Sequence, residues 1–522
     1  MSSTLLLLVL VSFIIYWRIT NYLSRRQISK ESNIRGCQDP PSLQRKGLFG
    51  LGRLSEVSRA NKEGRAPQWF VEKFDEVGDG VHTFRASALD YELIVTRDPE
   101  NARAIFQTNS QDFEISPYRK DIWSPLLGDG IFTAQGEDWK HSRQLLRPQF
   151  SRDQISDLDL EEEHVQTLLN LPHLRSHSDG WTQSLDLAPF FLNLTMDVAT
   201  EFLYGRSVNS QTLQSSAEGG EDQKHFSYHL EAGKTWLYTK GLFGKWNRLI
   251  RSSGFTRHCN EVHRFVDELV RCRLSTSEES KLYNESSKHG RFFLLDELAK
   301  YTQNPLELRN ETLQILNAGR DTTGALLGWV FYYLARNTPV FTKLRSTILQ
   351  EFGHDRTGEV PFQKLKNCEY LNHVIQEVLR VAAVVPVNER FAISSTTLPR
   401  GGGPDGSQPI FVPQGMRILM ANYAMQQRED LWGPDVKEFK PERWEEKSSG
   451  WEFLPFGAGR RKCIGQQFAL TETAYVVVRF LQRFDAMESV DREEVFFQYI
   501  FSNRSGRGVK VRLHEAAVDG SV

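Results

Sequence analysis

Cysteine is scarce in this chain: five in 522 residues, Cys37, Cys259, Cys272, Cys368 and Cys463, with no C-x-x-C pair among them. So odd and scattered a set argues against a disulfide framework or a cysteine-rich zinc site and suits a reducing compartment. Net charge is nearly absent as well, −2 from 64 Lys and Arg against 66 Asp and Glu. No basic tract interleaved with aromatics occurs, so no nucleic-acid partner is expected. Internal repeats are missing. The glycine run Gly401-Gly402-Gly403-Pro404-Asp405-Gly406 lacks the Lys-Ser/Thr that closes a phosphate loop, and a strand-like stretch from Pro409 to Val412 follows it. It reads as a turn between strands. Apolar residues are plentiful, 39% of the chain with 33 Phe and 11 Trp, enough for one large core.

Leu5 to Trp17 is apolar except for Ser12, and Ile19, Tyr22 and Leu23 extend the run. Residues 3–23 have about the length of a membrane-spanning helix. No basic segment precedes the run and no small-x-small cleavage site follows it, so a retained signal anchor is expected rather than a cleaved peptide. Arg18, Arg25, Arg26 and Lys30 follow it, which puts the body of the protein on the cytosolic side. Residues 24–60 read as a polar linker with Asp39-Pro40-Pro41 as a stiff spacer. From 61 to 522 the texture is that of one globular domain. Short strands are expected at Val81–Phe84 and Glu92–Val95, a helix opening at Asp98-Pro99-Glu100, and helices through much of 139–380. Residues 211–223 are polar and glycine-rich and read as an exposed loop. Asn193, Asn284, Asn310 and Asn503 match glycosylation sequons and are expected to be chance matches on this topology.

Residues 451–465 carry the chemistry: Phe456-x-x-Gly459-x-Arg461-x-Cys463-x-Gly465. A lone cysteine in a glycine-rich loop is ordinarily structural. Five constrained positions in ten residues instead point to a thiolate that ligates a haem iron, deprotonated by the metal. Gly459 permits a tight turn beside the sulfur, and Gly465 lets the following helix start close to a macrocycle. Backbone N–H groups there can hydrogen-bond the sulfur and tune it. Phe456 is suited to exclude water, and Arg461 to reach a haem propionate.

The segment resembles the haem-binding signature of the cytochrome P-450 superfamily of haem-thiolate monooxygenases. The resemblance implies a mainly α fold with small β-sheets, haem b with an axial thiolate, and a catalytic domain over residues 61–522 behind the anchor. Ala318-Gly319-Arg320-Asp321-Thr322-Thr323 matches the superfamily's oxygen-activation motif, which implies a local kink and proton delivery by Asp321 and Thr322. Trp139 and Arg143, one helical turn apart, and Arg390 are implied propionate partners. Glu377 and Arg380, at i and i+3, with Arg443 downstream, match the buried charged network beneath the haem. These motifs come in the family's order.

Residues 127–150, 398–406 and 465–472 are similar to the fungal n-alkane and fatty-acid hydroxylase branch. Three departures stand out: Ala382-Ala383 where the branch has Tyr-Pro, Arg460 for a common Pro, and Asn317 before Ala318 where an aliphatic residue is usual. With Phe191, Leu316, Val385 and Phe501 expected along the pocket wall, Asn317 and the Ala382-Ala383 pair imply a pocket wider and more polar than a channel for bare alkanes. The expected function is insertion of one oxygen atom from O2 into a hydrophobic substrate, foremost a long-chain fatty acid or alkane-like chain. A fungal secondary metabolite is the alternative, and a haem sensor or electron carrier the alternative of another class. No attached flavin or nicotinamide domain is expected. NADPH-cytochrome P-450 reductase is therefore the expected partner, with cytochrome b5 as a second donor. The expected dock lies near Lys140, Arg147, Arg460 and Lys462, and the expected location is the endoplasmic reticulum membrane.

Overall fold

No Pro or Gly interrupts the chain before Gly36, and residues Ser3–Ile34 form one helix of 32 residues that ends there. The computed structural model describes residues 3–47, 50–88, 91–213, 221–274 and 293–517. Among the described residues no helix is long and apolar enough to cross a membrane. The apolar run behind the anchor expectation lies mostly at side chains outside the described set. Residues 24–34, expected as linker, continue the first helix, and Leu51–Lys62 form another. The Asp39-Pro40-Pro41 spacer is not free: the Pro41 carbonyl accepts from Arg85 N at 2.8 Å and Asp39 pairs with Arg85 at 3.0 Å.

Two units make up the chain. The first (1–54, 70–115 and 388–421) is built on a five-stranded sheet in the order Thr83–Ala88, Tyr91–Thr96, Arg417–Met420, Asn388–Ala392, Phe113–Glu114. Tyr91–Thr96 and Arg417–Met420 pair in parallel, the other neighbours antiparallel. Asp98 caps the helix Pro99–Arg103 through the Glu100 and Asn101 amides, as the Asp-Pro-Glu start predicts. The glycine run closes a hairpin between Thr396–Gly402 and Gln408–Val412, with Gly401 N donating to Gly406 O at 2.7 Å.

The second unit (55–69, 116–387 and 422–522) is mainly helical, with a three-stranded and a two-stranded sheet. Its axis is the 30-residue helix Pro305–Leu334, started by Asn304, whose side chain accepts from Leu306 N. Leu308, Leu313 and Leu316 of this helix share one buried cluster with Leu126, Leu203, Leu230, Val262 and Leu298. Gly324 allows a close crossing with Leu187–Tyr204: a Cβ there would meet Leu192 Cδ2 at 2.9 Å, and Thr195 Oγ1 donates to Arg320 O at 2.9 Å. The helix runs continuously through Gly319, where a kink was expected. Phe191 and Leu316, expected on the pocket wall, are wholly buried; Phe191 instead packs on Phe331 at 4.9 Å. Ala382 and Ala383 are buried too, their carbonyls accepting from Asn503 Nδ2, so small side chains there open no space at the surface. Ala383 is held at φ 45°, the left-handed region that alanine enters at a cost of about 1 kcal/mol. Asn310 and Asn503 are buried, which closes those two sequons; Asn284 lies outside the described residues.

Candidate functional site

The loop before the helix Gln466–Arg483 is shaped by backbone rather than by side chains. Gly457 and Gly459 adopt φ of 65° and 68°, a short turn spans Gly459–Arg461, and Cys463 N donates to Phe456 O at 3.0 Å. That bond fixes the cysteine between the turn and the helix. Gly465, the N-cap, has φ −89°, and an added Cβ would stand 3.7 Å from Phe150, ordinary contact. Among the described residues nothing therefore requires glycine at 465.

Burial pushes the Cys463 thiol above its usual range, opposed by the Gly465 backbone N–H and by the charges of Arg143 and Lys462. Yet the residue keeps accessible surface. A sulfur deep enough to be desolvated and still accessible borders a hollow. The central helix shows the same feature: Ala318, Gly319 and Thr322 have accessible surface on an otherwise buried stretch, and a Cβ on Gly319 would meet nothing within 4 Å. Ile464 and Phe468, either side of the helix start, pack against the cluster that contains Leu313 and Leu316.

The structure gathers three of the predicted partners around the cysteine loop. Arg461 donates to Ala134 O at 2.9 Å, and its guanidinium lies 4.4 Å from the Trp139 ring centroid. Arg143, one turn on, donates to Lys462 O at 3.1 Å, its guanidinium 5.7 Å from the same ring. Arg390 belongs to the first unit, stacked over Phe106 at 4.7 Å and donating to Glu389 O at 2.7 Å. One accessible thiol, two guanidiniums against one indole and an open glycine turn suit a large planar dianion ligated by a single thiolate, which is the character of haem.

Thr322 Oγ1 donates to Ala318 O at 2.8 Å. Asp321 is buried, its oxygens accepting from Lys234 at 2.5 Å and Arg320 at 2.8 Å. Glu231 joins them, accepting from Lys234 at 2.7 Å and Arg320 at 2.8 Å. Burial alone would raise the Glu231 carboxyl, but the charges of Lys234, Arg320 and Arg504 outweigh it and hold it well below the usual carboxylate range. The sequence reading missed Lys234 and Glu231, because nothing local marks a lysine 87 residues before its aspartate as a partner.

Glu377, Arg380 and Arg443 come together as predicted. Glu377 accepts from Arg380 at 2.9 and 2.7 Å, from Lys440 N and Trp444 Nε1 at 3.0 Å each, and from Arg443 at 3.5 Å.

Glu311, two turns before the open stretch, is a further buried acid. Burial pushes its carboxyl up to about 7, against hydrogen bonds from Ser142 and the Ile131 backbone. A carboxyl whose pKa is raised by folding supports the fold below its unfolded value, near 4.5, and progressively opposes it as pH climbs to about 7. The difference is on the order of 3 kcal/mol. Glu311→Gln is therefore expected to raise Tm at pH 8 and to leave it nearly unchanged at pH 4.5. An equal rise at both, in thermal melts of the holoprotein, means the carboxyl does not titrate in that window.

The family described as Cytochrome P450 matches residues 51–506. A relative named Cytochrome P450 monooxygenase g430, from Fusarium sp, is 44% identical over 516 residues, covering 97% of this chain and 90% of the relative. Cytochrome P450 52A13 of Debaryomyces hansenii is 39% identical, covering 92% of this chain and 91% of its own. Cytochrome P450 monooxygenase alt2 of Alternaria solani is 36% identical over 94% of each chain.

Proposed function

We propose, since the chain belongs to the cytochrome P450 family and is a haem-dependent monooxygenase, that Cys463 is the axial ligand and that the substrate is a long aliphatic chain. The observation that carries the assignment is the Cys463 thiol, accessible and yet desolvated enough to be pushed above its usual range. Bound haem supplies dioxygen activation with two electrons and two protons, one oxygen atom entering a C–H bond and the other leaving as water. The protein's own contributions follow from its side chains. The Gly465 N–H, with Arg143 and Lys462, favours the thiolate form of Cys463. Arg143, Arg461 and Trp139 hold the propionates, and Arg390 is a further candidate for that role. Phe456 excludes water beside the sulfur.

Thr322 holds and passes a proton at Oγ1, and Asp321 supplies protons once an oxygen is released from Lys234 or Arg320. Thr322→Ala is expected to keep haem content and substrate binding while NADPH oxidation yields mostly hydrogen peroxide. A product-to-NADPH ratio equal to the unmodified protein's removes Thr322 from the proton path.

The apolar wall supports a chain-like substrate: Phe501 and Trp123, both partly accessible, lie 4.4 Å apart. Oxidation of a fungal secondary metabolite with an aliphatic part is the second reading, favoured by the similarity to the Fusarium and Alternaria monooxygenases. Residues 3–23 are the proposed anchor in the endoplasmic reticulum membrane. NADPH-cytochrome P450 reductase is the proposed electron donor, docking on exposed Lys140, Arg147, Arg460 and Lys462, with cytochrome b5 as a second. One experiment tests these together: membranes from cells expressing the full chain, given reductase, NADPH and a lipid extract. An aliphatic compound gaining one oxygen, with activity that sediments and requires reductase, is the expected outcome. Reductase-independent turnover, or soluble activity, overturns the corresponding part.

A further inference from the structure

Two acids share two cations beside the open stretch of the central helix. Asp321 and Arg320 belong to that helix, Glu231 and Lys234 to the helix Glu221–Phe243. Lys234 Nζ donates to Asp321 Oδ2 at 2.5 Å and Arg320 Nη1 to Asp321 Oδ1 at 2.8 Å, so both Asp321 oxygens are taken. The same two donors converge on one atom of the other acid. Glu231 Oε1 accepts from Lys234 Nζ at 2.7 Å and from Arg320 Nη1 at 2.8 Å. Glu231 Oε2 accepts from Arg504 Nη2 at 3.4 Å. The side chains of Lys234, Arg320 and Asp321 are 3%, 5% and 7% exposed, that of Glu231 28%. The ring therefore has one acid fixed in the interior and one with room to adjust.

A buried cation stripped of its carboxylate is strongly unfavourable, and that alone would keep Asp321 in place. Here neither cation is stripped. When Asp321 lets go of Lys234 or Arg320, the cation keeps its bond to Glu231 Oε1. The balance of charge needs the second acid as well. Lys234, Arg320 and Arg504 face two carboxylates, and with Glu231 neutral all three would face Asp321 alone. Burial raises the Glu231 carboxyl, but the charges of Lys234 and Arg320 hold it well below the usual range. It is thus ionised at neutral pH and suited to hold cations rather than to carry protons.

We infer that Glu231 is a positioning residue for the reaction: it receives Lys234 and Arg320 as Asp321 releases them, and so sets how readily Asp321 turns to deliver a proton. This rests on the proton-delivery reading of Asp321 and Thr322 and deepens it. The ion pairs are exchanged between two acids, and none is broken without a replacement.

The test uses the full chain with haem, reconstituted with reductase in lipid nanodiscs, and dodecanoic acid as the probe. Two quantities are read. One is the ratio of product to NADPH oxidised. The other is the stretching frequency of carbon monoxide in the reduced complex, which reports the local field without turnover. In Glu231→Gln the ratio is expected to fall about fivefold, with hydrogen peroxide making up the difference. Binding of dodecanoic acid is expected to stay nearly unchanged, and the frequency to shift. Adding Lys234→Met to Glu231→Gln restores the balance of charge and is expected to recover both quantities. A role in packing alone gives the reverse, because a second deletion adds damage. Arg504→Gln removes a cation from the other side of Glu231 and is expected to shift the frequency the opposite way. An unchanged ratio in Glu231→Gln overturns the inference, as does a double variant no better than the single one. An unmoved frequency in Glu231→Gln or in Arg504→Gln overturns it too, whether or not dodecanoic acid is oxidised or the other variant loads haem. If Asp321→Asn lowers the ratio and Glu231→Gln does not, only this inference fails. If Asp321→Asn also keeps the ratio, the proton-delivery reading beneath it fails.

Discussion

Replacing Cys463 with serine is expected to abolish the absorption band near about 450 nm of the reduced carbon-monoxide complex and all monooxygenase turnover. That band reports electron donation from a thiolate to the iron, and a serine hydroxyl is far too weak an acid to replace it. Folding should be affected little, because the residue lies in a turn shaped by Gly457, Gly459 and the Cys463 N–H to Phe456 O bond, which serine keeps. The variant therefore separates ligation from structure: circular dichroism is expected unchanged, spectrum and activity lost. Retention of the band in Cys463→Ser assigns the ligand elsewhere. Cys37, Cys259 and Cys368 are poor substitutes, since each is buried and burial raises its thiol, Cys259 up to about 12.

The second large effect is on stability. Arg380 is fully buried and spends all its donors: two bonds to Glu377, and others to Gln426 O at 3.2 Å, Val436 O at 2.7 Å and Glu438 O at 3.0 Å. The motif alone suggests an i, i+3 surface pair worth about 0.3 kcal/mol. Burial changes the sign of the argument. Arg380→Met leaves a carboxylate in the interior beside three carbonyls that have lost donors, which is expected to cost about 3–5 kcal/mol. Against a total stability of about 5–15 kcal/mol, that is enough to prevent stable haem loading at 37 °C. Arg380→Met combined with Glu377→Leu should recover part of the loss by removing the stranded charge, though not the carbonyls' share. Urea denaturation followed by haem absorbance checks both. A single variant within about 1 kcal/mol of the unmodified protein means the network is not what locks this region.

What could be read from the chain and what could not divide by distance along it. The cysteine loop was legible because its chemistry is contiguous: two glycine turns, an arginine, a thiol and a helix start within ten residues. The Asp98 cap, the hairpin at Gly401–Gly406 and the Glu377–Arg380 pairing are local in the same sense. The approach of Trp139 to Arg461 was legible only through family resemblance, since more than 300 residues separate them.

The sequence by itself thus determined the turns of the cysteine loop and many of the helices, because turn geometry and helical periodicity act over a few residues, and through the family resemblance it gave the fold and the reaction class. Only the tertiary structure decided which side chains are spent. It bound Asp321 to Lys234, withdrew Phe191 into the core, sealed Ala382 and Ala383 beneath Asn503, and placed Arg390 in the other unit. The reason is the interior's demand that every buried polar group be paired and every void filled, a condition met between segments far apart in the chain.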